Sequence, residues 1–249
     1  MKKETYTAVV LAAGKGSRMK SREKKQFMKL LGKPLVYYAL KAFQESRVDE
    51  IILVTGKESI DYCKRRIVDK YGFTKVSKIV AGGKERYESV YEALKVAKPG
   101  YVLIHDGARA FLDEDIINRS IKGVRKYKAC VIGMPVKDTI KVANQDAFAV
   151  DTPDRAFLWQ IQTPQCFVTE EIKEAHRSMI EKGDTAITDD AMVMEKYGKR
   201  KIKLIEGSYE NMKVTTPEDI IIGKALLKRD RAKKKLKRGL LPFTKNEMK

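Results

Sequence analysis

Cysteine and histidine are scarce: Cys63, Cys130 and Cys166 are the three thiols and His105 and His176 the two imidazoles of a 249-residue chain. The thiols are odd in number, widely spaced and without a CxxC pair, which excludes a zinc ribbon or a disulfide scaffold and predicts reduced thiols. Two histidines cannot build a multi-histidine metal centre, so any metal here is expected to be a hard, oxygen-bound one. Glycine (16) and proline (7) are too few for a collagen or a low-complexity chain, and at 43% apolar residues the composition is that of a globular protein. No run of about 18 apolar residues occurs, and the N-terminus lacks a signal-peptide h-region, so the expected location is the cytoplasm.

Positive charge is plentiful. Lysine and arginine number 52 against 33 acids, a net +19. Residues 228–249 hold 10 basic residues against 2 acids, a net +8, and form a basic C-terminal tail set apart from the +11 of residues 1–227. Such a run can touch nucleic acid or an anionic membrane surface. No aromatic residue interleaves its Lys-Lys-Lys stretch, so base stacking is not expected, and a solvated helix end is the preferred reading.

Apolar runs and helical spacings alternate along residues 1–227. Strands are predicted at Thr7–Leu11, Glu50–Thr55, Lys78–Ala81, Tyr101–His105 and Ala129–Met134, with helices at 34–46, 58–71, 85–96 and 113–127 between them. That alternation implies right-handed crossovers and an α/β doubly wound, Rossmann-like, mostly parallel sheet in one domain. The rhythm changes over 138–162, where apolar and polar residues alternate around Asn144, Pro153 and Asp154. This predicts a projecting β-arm. Helices at 169–182 and 189–197, strands at 201–206 and 211–214, and a helix from Pro217 with Thr216 as its cap complete the domain.

In such a sheet, ligands bind outside the carboxyl ends of the strands, near the reversal of strand order. The first strand runs into Ala12-Ala13-Gly14-Lys15-Gly16-Ser17-Arg18-Met19, followed by Lys24-Lys25-Gln26-Phe27. Glycines let main-chain N–H groups approach phosphate oxygens, and Arg18 with a lysine can neutralise a polyphosphate. The loop is not a dinucleotide fingerprint, since Met19 occupies the third glycine's place and no acid falls at the usual offset. It is not a Walker loop either, because no GK[ST] closes it. The pattern that remains resembles the signature of nucleotidyltransferases that move a nucleoside monophosphate from a triphosphate to a phosphorylated polyol.

Further blocks narrow the resemblance. Ala81-Gly82-Gly83-Lys84-Glu85-Arg86-Tyr87-Glu88-Ser89, His105-Asp106-Gly107-Ala108-Arg109, Pro135-Val136-Lys137-Asp138-Thr139, Thr163-Pro164-Gln165, Ile187-Thr188-Asp189-Asp190-Ala191 and Asn211-Met212-Lys213-Val214 stand in order and at family spacing. Over about residues 7–227 the sequence resembles the 2-C-methyl-D-erythritol 4-phosphate cytidylyltransferase family. The resemblance implies transfer of CMP from CTP, the co-substrate, to methylerythritol 4-phosphate with Mg²⁺, in non-mevalonate isoprenoid synthesis. It implies Arg18, Lys25 and Lys213 as the cations on the triphosphate and transition state. Ala12, Ala13, Gly14, Gly16, Gly82, Gly83, Arg86, Ser89 and Asp106 are implied as nucleotide contacts. Asp106, at a strand end, can hold Mg²⁺ or bind ribose. For the acceptor it implies Arg109, Asp138, Thr139, Arg155, Thr163, Thr188 and Lys213, with Arg155 reaching in from the second subunit of a homodimer through the arm. His105 reads more simply as a packed residue, whereas Thr188 is both an acceptor contact and a candidate helix N-cap, a structural role that would suffice equally well by itself.

The chain departs from the family pattern at Lys24, where proline is usual, and at Gly107 and Ala110 in place of alanine and proline. Lys24 is thereby a rival to Lys25, and Gly107 is expected to loosen its loop. A ribitol-5-phosphate cytidylyltransferase shares the same blocks but tends to read Ala-Gly-Gly in the first loop, so Ala12-Ala13-Gly14 and Ile187–Ala191 favour the methylerythritol reading. The alternative from another class is a nucleic-acid or membrane-surface binder acting through the tail; insertion into a membrane is not expected, and nucleic acid is not the expected partner.

Overall fold

A computed structural model describes residues 4–14, 16, 19, 24–198 and 200–239, with side chains through 232. In chain order the strands are β1 Tyr6–Ala12, β2 Lys29–Leu30, β3 Lys33–Pro34, β4 Glu50–Thr55, β5 Val76–Ala81, β6 Tyr101–Asp106, β7 Ala129–Pro135, β8 Val142–Ala143, β9 Ala149–Asp151, β10 Trp159–Val168 and β11 Lys203–Glu206. The helices are α1 Leu35–Gln44, α2 Ile60–Tyr62, α3 Arg86–Val96, α4 Glu114–Tyr127, α5 Thr169–Glu181, α6 Asp190–Tyr197 and α7 Pro217–Gly239.

Seven strands form the central sheet in the order β11-β7-β10-β6-β1-β4-β5. All pairings are parallel except those of β10, which runs antiparallel between β6 and β7. β4 and β6 are buried along their whole length, as strands covered on both faces must be. One face packs Val10, Leu53, Leu103 and Ile132 under α1 and α4. The other packs Val9, Val54, Ile104 and Val131 under α3, α5 and α6. The doubly wound, mostly parallel architecture expected from the alternation is therefore the architecture observed. Strand order reverses at β1, whose neighbours are β4 and β6, so the ends of β1 and β6 open onto the crevice where ligands bind.

The structure corrects three local expectations. The arm is shorter than 138–162: β8 and β9 pair as a small exposed hairpin, whereas Trp159–Gln162 belong to the ten-residue β10 of the main sheet. Residues 211–214 are not a strand. They are held by single contacts instead, among them the Val214 N–H on the Ala108 carbonyl at 2.9 Å. The helix expected over 58–71 begins as a 3₁₀ turn at Lys57–Ser59 and continues beyond α2 as a π-helical stretch, Cys63–Asp69.

At the C-terminus α7 passes without a break from 217 to 239, so the basic stretch begins inside a helix. Its start is held by Asp219, which accepts from the N–H groups of Thr215 and Thr216 at 2.7 and 2.9 Å. Cys63, Cys130 and Cys166 are free and buried. Among the described residues no helix is long and apolar enough to cross a membrane.

Candidate active site

A cavity of about 380 Å³ lies over the ends of β1 and β6. Its walls include Ala12, Ala13, Gly14, Gly16, Lys25, Gly83, Arg86, Ser89, Asp106 and Lys213, ten of the residues singled out from the sequence. Arg18 lies outside the described residues.

The first wall is the turn after β1. Gly16 has φ +67°, a conformation that costs a residue with a side chain. Its α-carbon faces Lys25 so closely that an added Cβ would stand 2.8 Å from the Lys25 Cβ. The Lys25–Phe27 turn is anchored by Gln26, which is buried and donates its amide to the Ala12 carbonyl at 2.6 Å. The anchor ties the lysine-bearing turn to the end of β1. Lys24 is directed elsewhere: its ammonium pairs with Glu58 and contacts Ser59 Oγ at 2.9 Å. Lys24 does not line the cavity and Lys25 does.

The second wall is the turn into α3. Glu85 and Glu88 form a capping box, with Glu88 also accepting from the Lys84 N–H at 2.6 Å. Ser89 Oγ accepts from the Gly83 N–H and donates to the Glu85 carbonyl, each at 3.1 Å, so the hydroxyl fixes the loop shape. Gly82 sits one residue deeper, its N–H on the Thr55 carbonyl at 2.8 Å.

The floor is an alternating line of charge. Lys213 Nζ lies 2.8 Å and Arg86 Nε 3.5 Å from the Asp106 carboxylate, and Arg86 Nη2 lies 2.7 Å from Asp190. Burial alone would raise the Asp106 carboxyl. The adjacent Arg86 and Lys213 outweigh it and hold Asp106 far below the usual carboxylate range, ionised at every physiological pH. The carboxylates thus hold Arg86 and Lys213 in place at the cavity lining, which is electrostatic preorganisation.

The Asp106 backbone is fixed from beneath. Its N–H donates to Thr163 Oγ1 at 3.1 Å; that hydroxyl lies 3.0 Å from His105 Nδ1, and His105 Nε2 lies 3.2 Å from the Arg109 carbonyl. These contacts suit a neutral Nε2–H imidazole whose Nδ1 accepts from Thr163. His105 is thus a packed residue, and burial lowers its pKa from 6.5 to about 4. Between about pH 6.5 and 4 the unfolded chain takes up a proton that the folded chain refuses. Stability therefore falls as pH drops through that window, by about 3 kcal/mol from this group. Denaturant midpoints measured at pH 7.5, 6 and 5 should decline, and His105→Gln should flatten the decline.

The residues expected around the acceptor behave differently. Arg109 points inward: its guanidinium donates to the Asn211 carbonyl at 2.7 Å and stitches the loop after β6 to the segment bearing Lys213. Thr163 is buried with its hydroxyl engaged as above. Asp138, Thr139 and Arg155 lie exposed on the arm, with Arg155 donating to the Lys137 carbonyl at 3.1 Å. Thr188 is exposed and is not the helix cap; Asp189 is, accepting from the Met192 N–H at 2.9 Å. None of these six lines the cavity of the single chain. Nor is Gly107 loose: it is buried, with its N–H on the Leu11 carbonyl at 2.9 Å.

A resident metal does not fit the donor set. Among the described residues Asp106 and Glu85 are the carboxylates lining the cavity, the first held by two cations and the second spent in the capping box. Among the described residues no three acidic, histidine or cysteine side chains cluster, whereas a protein-held Mg²⁺ takes six oxygens in octahedral array. Lys84 and Thr215 also line the cavity and were not singled out from sequence; neither sits in a pattern that chemistry alone would pick.

Comparison with known proteins places the chain in a family. The sequence model of the 2-C-methyl-D-erythritol 4-phosphate cytidylyltransferase family matches residues 6–229. A protein of that name from Lachnospira eligens is 53% identical over 225 residues, 89% of this chain and 99% of its own length. One from Clostridium perfringens is 50% identical over 223 residues, 89% of this chain and 98% of its own. A solved structure described as 4-diphosphocytidyl-2C-methyl-D-erythritol synthase, from Anaerococcus prevotii, superposes with a TM-score of 0.79 at 33% identity, covering 90% of this chain and 96% of that one. The chain belongs to the 2-C-methyl-D-erythritol 4-phosphate cytidylyltransferase family.

Proposed function

We propose that the cavity over β1 and β6 is where the chain, a CTP-dependent cytidylyltransferase of non-mevalonate isoprenoid synthesis, performs its reaction. A phosphate oxygen of methylerythritol 4-phosphate attacks the α-phosphorus of CTP in line, the bond to the β-phosphate bridging oxygen breaks, and CDP-methylerythritol and pyrophosphate leave. Negative charge gathers on the α-phosphoryl oxygens and the leaving group, so catalysis consists of positioning and charge stabilisation. Lys25, on the first wall, and Lys213, on the floor of the same cavity, carry this reading. We assign them, with Arg18, to the triphosphate, and the Ala12–Gly14 turn with the Gly82–Ser89 loop to the cytosine. Mg²⁺ enters with CTP as part of the substrate, held by phosphate oxygens.

The acceptor groups Asp138, Thr139 and Arg155 we assign to a site completed by a second copy of the chain. The arm supports this, because Phe148, Val150 and Phe157 are 69%, 60% and 81% exposed in the single chain. Residues 1–227 act as one catalytic domain. Three free thiols suit the reducing cytoplasm. The test is pyrophosphate release from CTP and Mg²⁺ with methylerythritol 4-phosphate or ribitol 5-phosphate. Turnover should require the former, and a preference for ribitol phosphate would assign the acceptor pocket to another polyol.

A further inference from the structure

His176 plays no part in the mechanism above, yet its surroundings are unusual for a core residue. It lies on the apolar face of α5 with Ile172, Ala175 and Met179, fully buried. Neither ring nitrogen has an aligned hydrogen-bond partner among the described residues, a cost that leucine or methionine at this position would avoid. The group it faces is a carboxylate: His176 Nε2 lies 3.2 Å from Asp190 Oδ1, close enough for ion pairing although not aligned as a hydrogen bond.

Asp190 is itself fully buried and its backbone is clamped. Gln165 Oε1 accepts from the N–H groups of Asp190 and Ala191 at 2.9 and 3.0 Å, at the first turn of α6, where the helix dipole favours a carboxylate. With the main chain fixed, what can still turn is the carboxyl group. One of its oxygens faces His176 and the other receives Arg86 Nη2 at 2.7 Å. The imidazole therefore determines which oxygen is left for the guanidinium.

Arg86 in turn needs that second anchor. Its Nε reaches Asp106 at 3.5 Å, but Asp106 is shared with Lys213 at 2.8 Å. Held by Asp106 alone, the guanidinium could swing about one contact and would compete with Lys213 for the same carboxylate. Two anchors on different nitrogens fix the plane of the fork. We propose that His176 and Asp190 form a buried positioning pair that holds Arg86 in the orientation in which it addresses CTP, so that a side chain of α5 governs nucleotide binding without touching the nucleotide. This rests on the assignment of Arg86 to the nucleotide made above.

Steady-state pyrophosphate release by the full-length enzyme tests it, with CTP and acceptor varied in turn and folding followed by thermal denaturation. His176→Phe keeps the ring and removes the polar atoms. It should raise KM for CTP about tenfold, leaving kcat and the acceptor KM within about twofold. His176→Gln, whose amide can stand where Nε2 stands, should return KM to within about threefold of wild type. On an Arg86→Gln background, itself expected to raise KM for CTP, His176→Phe should add less than about twofold. An unmoved KM for CTP in His176→Phe, an equal rise on the Arg86→Gln background, or no rescue by glutamine overturns the proposal. Should Arg86→Gln leave KM for CTP unmoved, the assignment of Arg86 to the nucleotide fails first; failure of the His176 arm alone leaves that assignment standing. If the phenylalanine variant does not fold, His176→Gln and His176→Asn make the same comparison, with a raised KM expected only for asparagine, whose amide stands nearer Nδ1.

Discussion

Lys213→Ala should lower kcat/KM by about a thousandfold, mostly through kcat, while the melting temperature should stay within a few degrees of wild type. The two halves of this expectation have separate causes. Lys213 is 38% exposed on its side chain and pairs with a carboxylate that keeps a second cation in Arg86, so the fold loses little. In the role proposed for Lys213, the transition state would lose a charge placed beside the reacting phosphates in the cavity that Lys213 lines. Removing one preorganised donor from such a site costs about 3–4 kcal/mol. A contact that strengthens as the α-phosphoryl group is attacked appears in kcat rather than in KM for CTP. Pyrophosphate release under saturating CTP and acceptor measures it. A loss of less than about tenfold would move Lys213 from the reacting phosphates to the rim, and a KM effect alone would make it a ground-state contact.

The parts of the molecule legible from sequence are those where one force dominates. β1, β4 and β6 are apolar on consecutive residues because both faces are covered, and such runs between helical spacings admit few topologies. β10 was hidden because it contains Pro164 between polar residues that point inward. Gln162, Thr163 and Gln165 are all buried, and each is satisfied by partners far away in sequence. A proline within a run argues against a strand, and nothing local reveals the register shift between Ile161 and Gln165.

The same distinction runs through the site. The glycine-rich turn, the Gly82–Ser89 loop, Asp106 and Lys213 were visible as blocks, and the fold brings them to one cavity because each stands at a strand end or a turn facing the crevice. Arg109 and Thr163, expected at the acceptor, do not line the cavity of the single chain, for a physical reason. Both are polar side chains beside the site that spend their hydrogen bonds inward, on the Asn211 carbonyl and on the Asp106 N–H, and so build the site from behind. No spacing rule distinguishes such a residue from one that faces a ligand. Lys24 and Lys25 differ only in direction, which Glu58, Ser59 and the Gln26 anchor decide.

That direction is also the most fragile feature of the site, and Gly16→Ala should expose it. The substitution adds one carbon in a backbone conformation, φ +67°, that costs an L-residue about 1–2 kcal/mol. The new Cβ would stand 2.8 Å from the Cβ of Lys25, an atom fixed to the main chain, so no side-chain rotation relieves the overlap. Either the 25–27 turn moves outward, pulling against the Gln26 amide on the Ala12 carbonyl, or the loop after β1 opens. Both displace the Lys25 ammonium, and if Lys25 meets the transferring phosphoryl group as proposed, a shift of about 1 Å can cost about a hundredfold in rate. The expected result is therefore a fall of about a hundredfold in kcat/KM with a loss of only a few degrees in melting temperature. Gly183→Ala supplies the comparison: Gly183 also has positive φ, at +65°, but a Cβ there meets nothing within 4 Å and the residue does not line the cavity. It should show the same loss of melting temperature with unchanged turnover. If the two variants lose stability alike and Gly16→Ala keeps its rate, the contact between Gly16 and Lys25 is packing only, and the placement of the lysine must come from the Gln26 anchor alone.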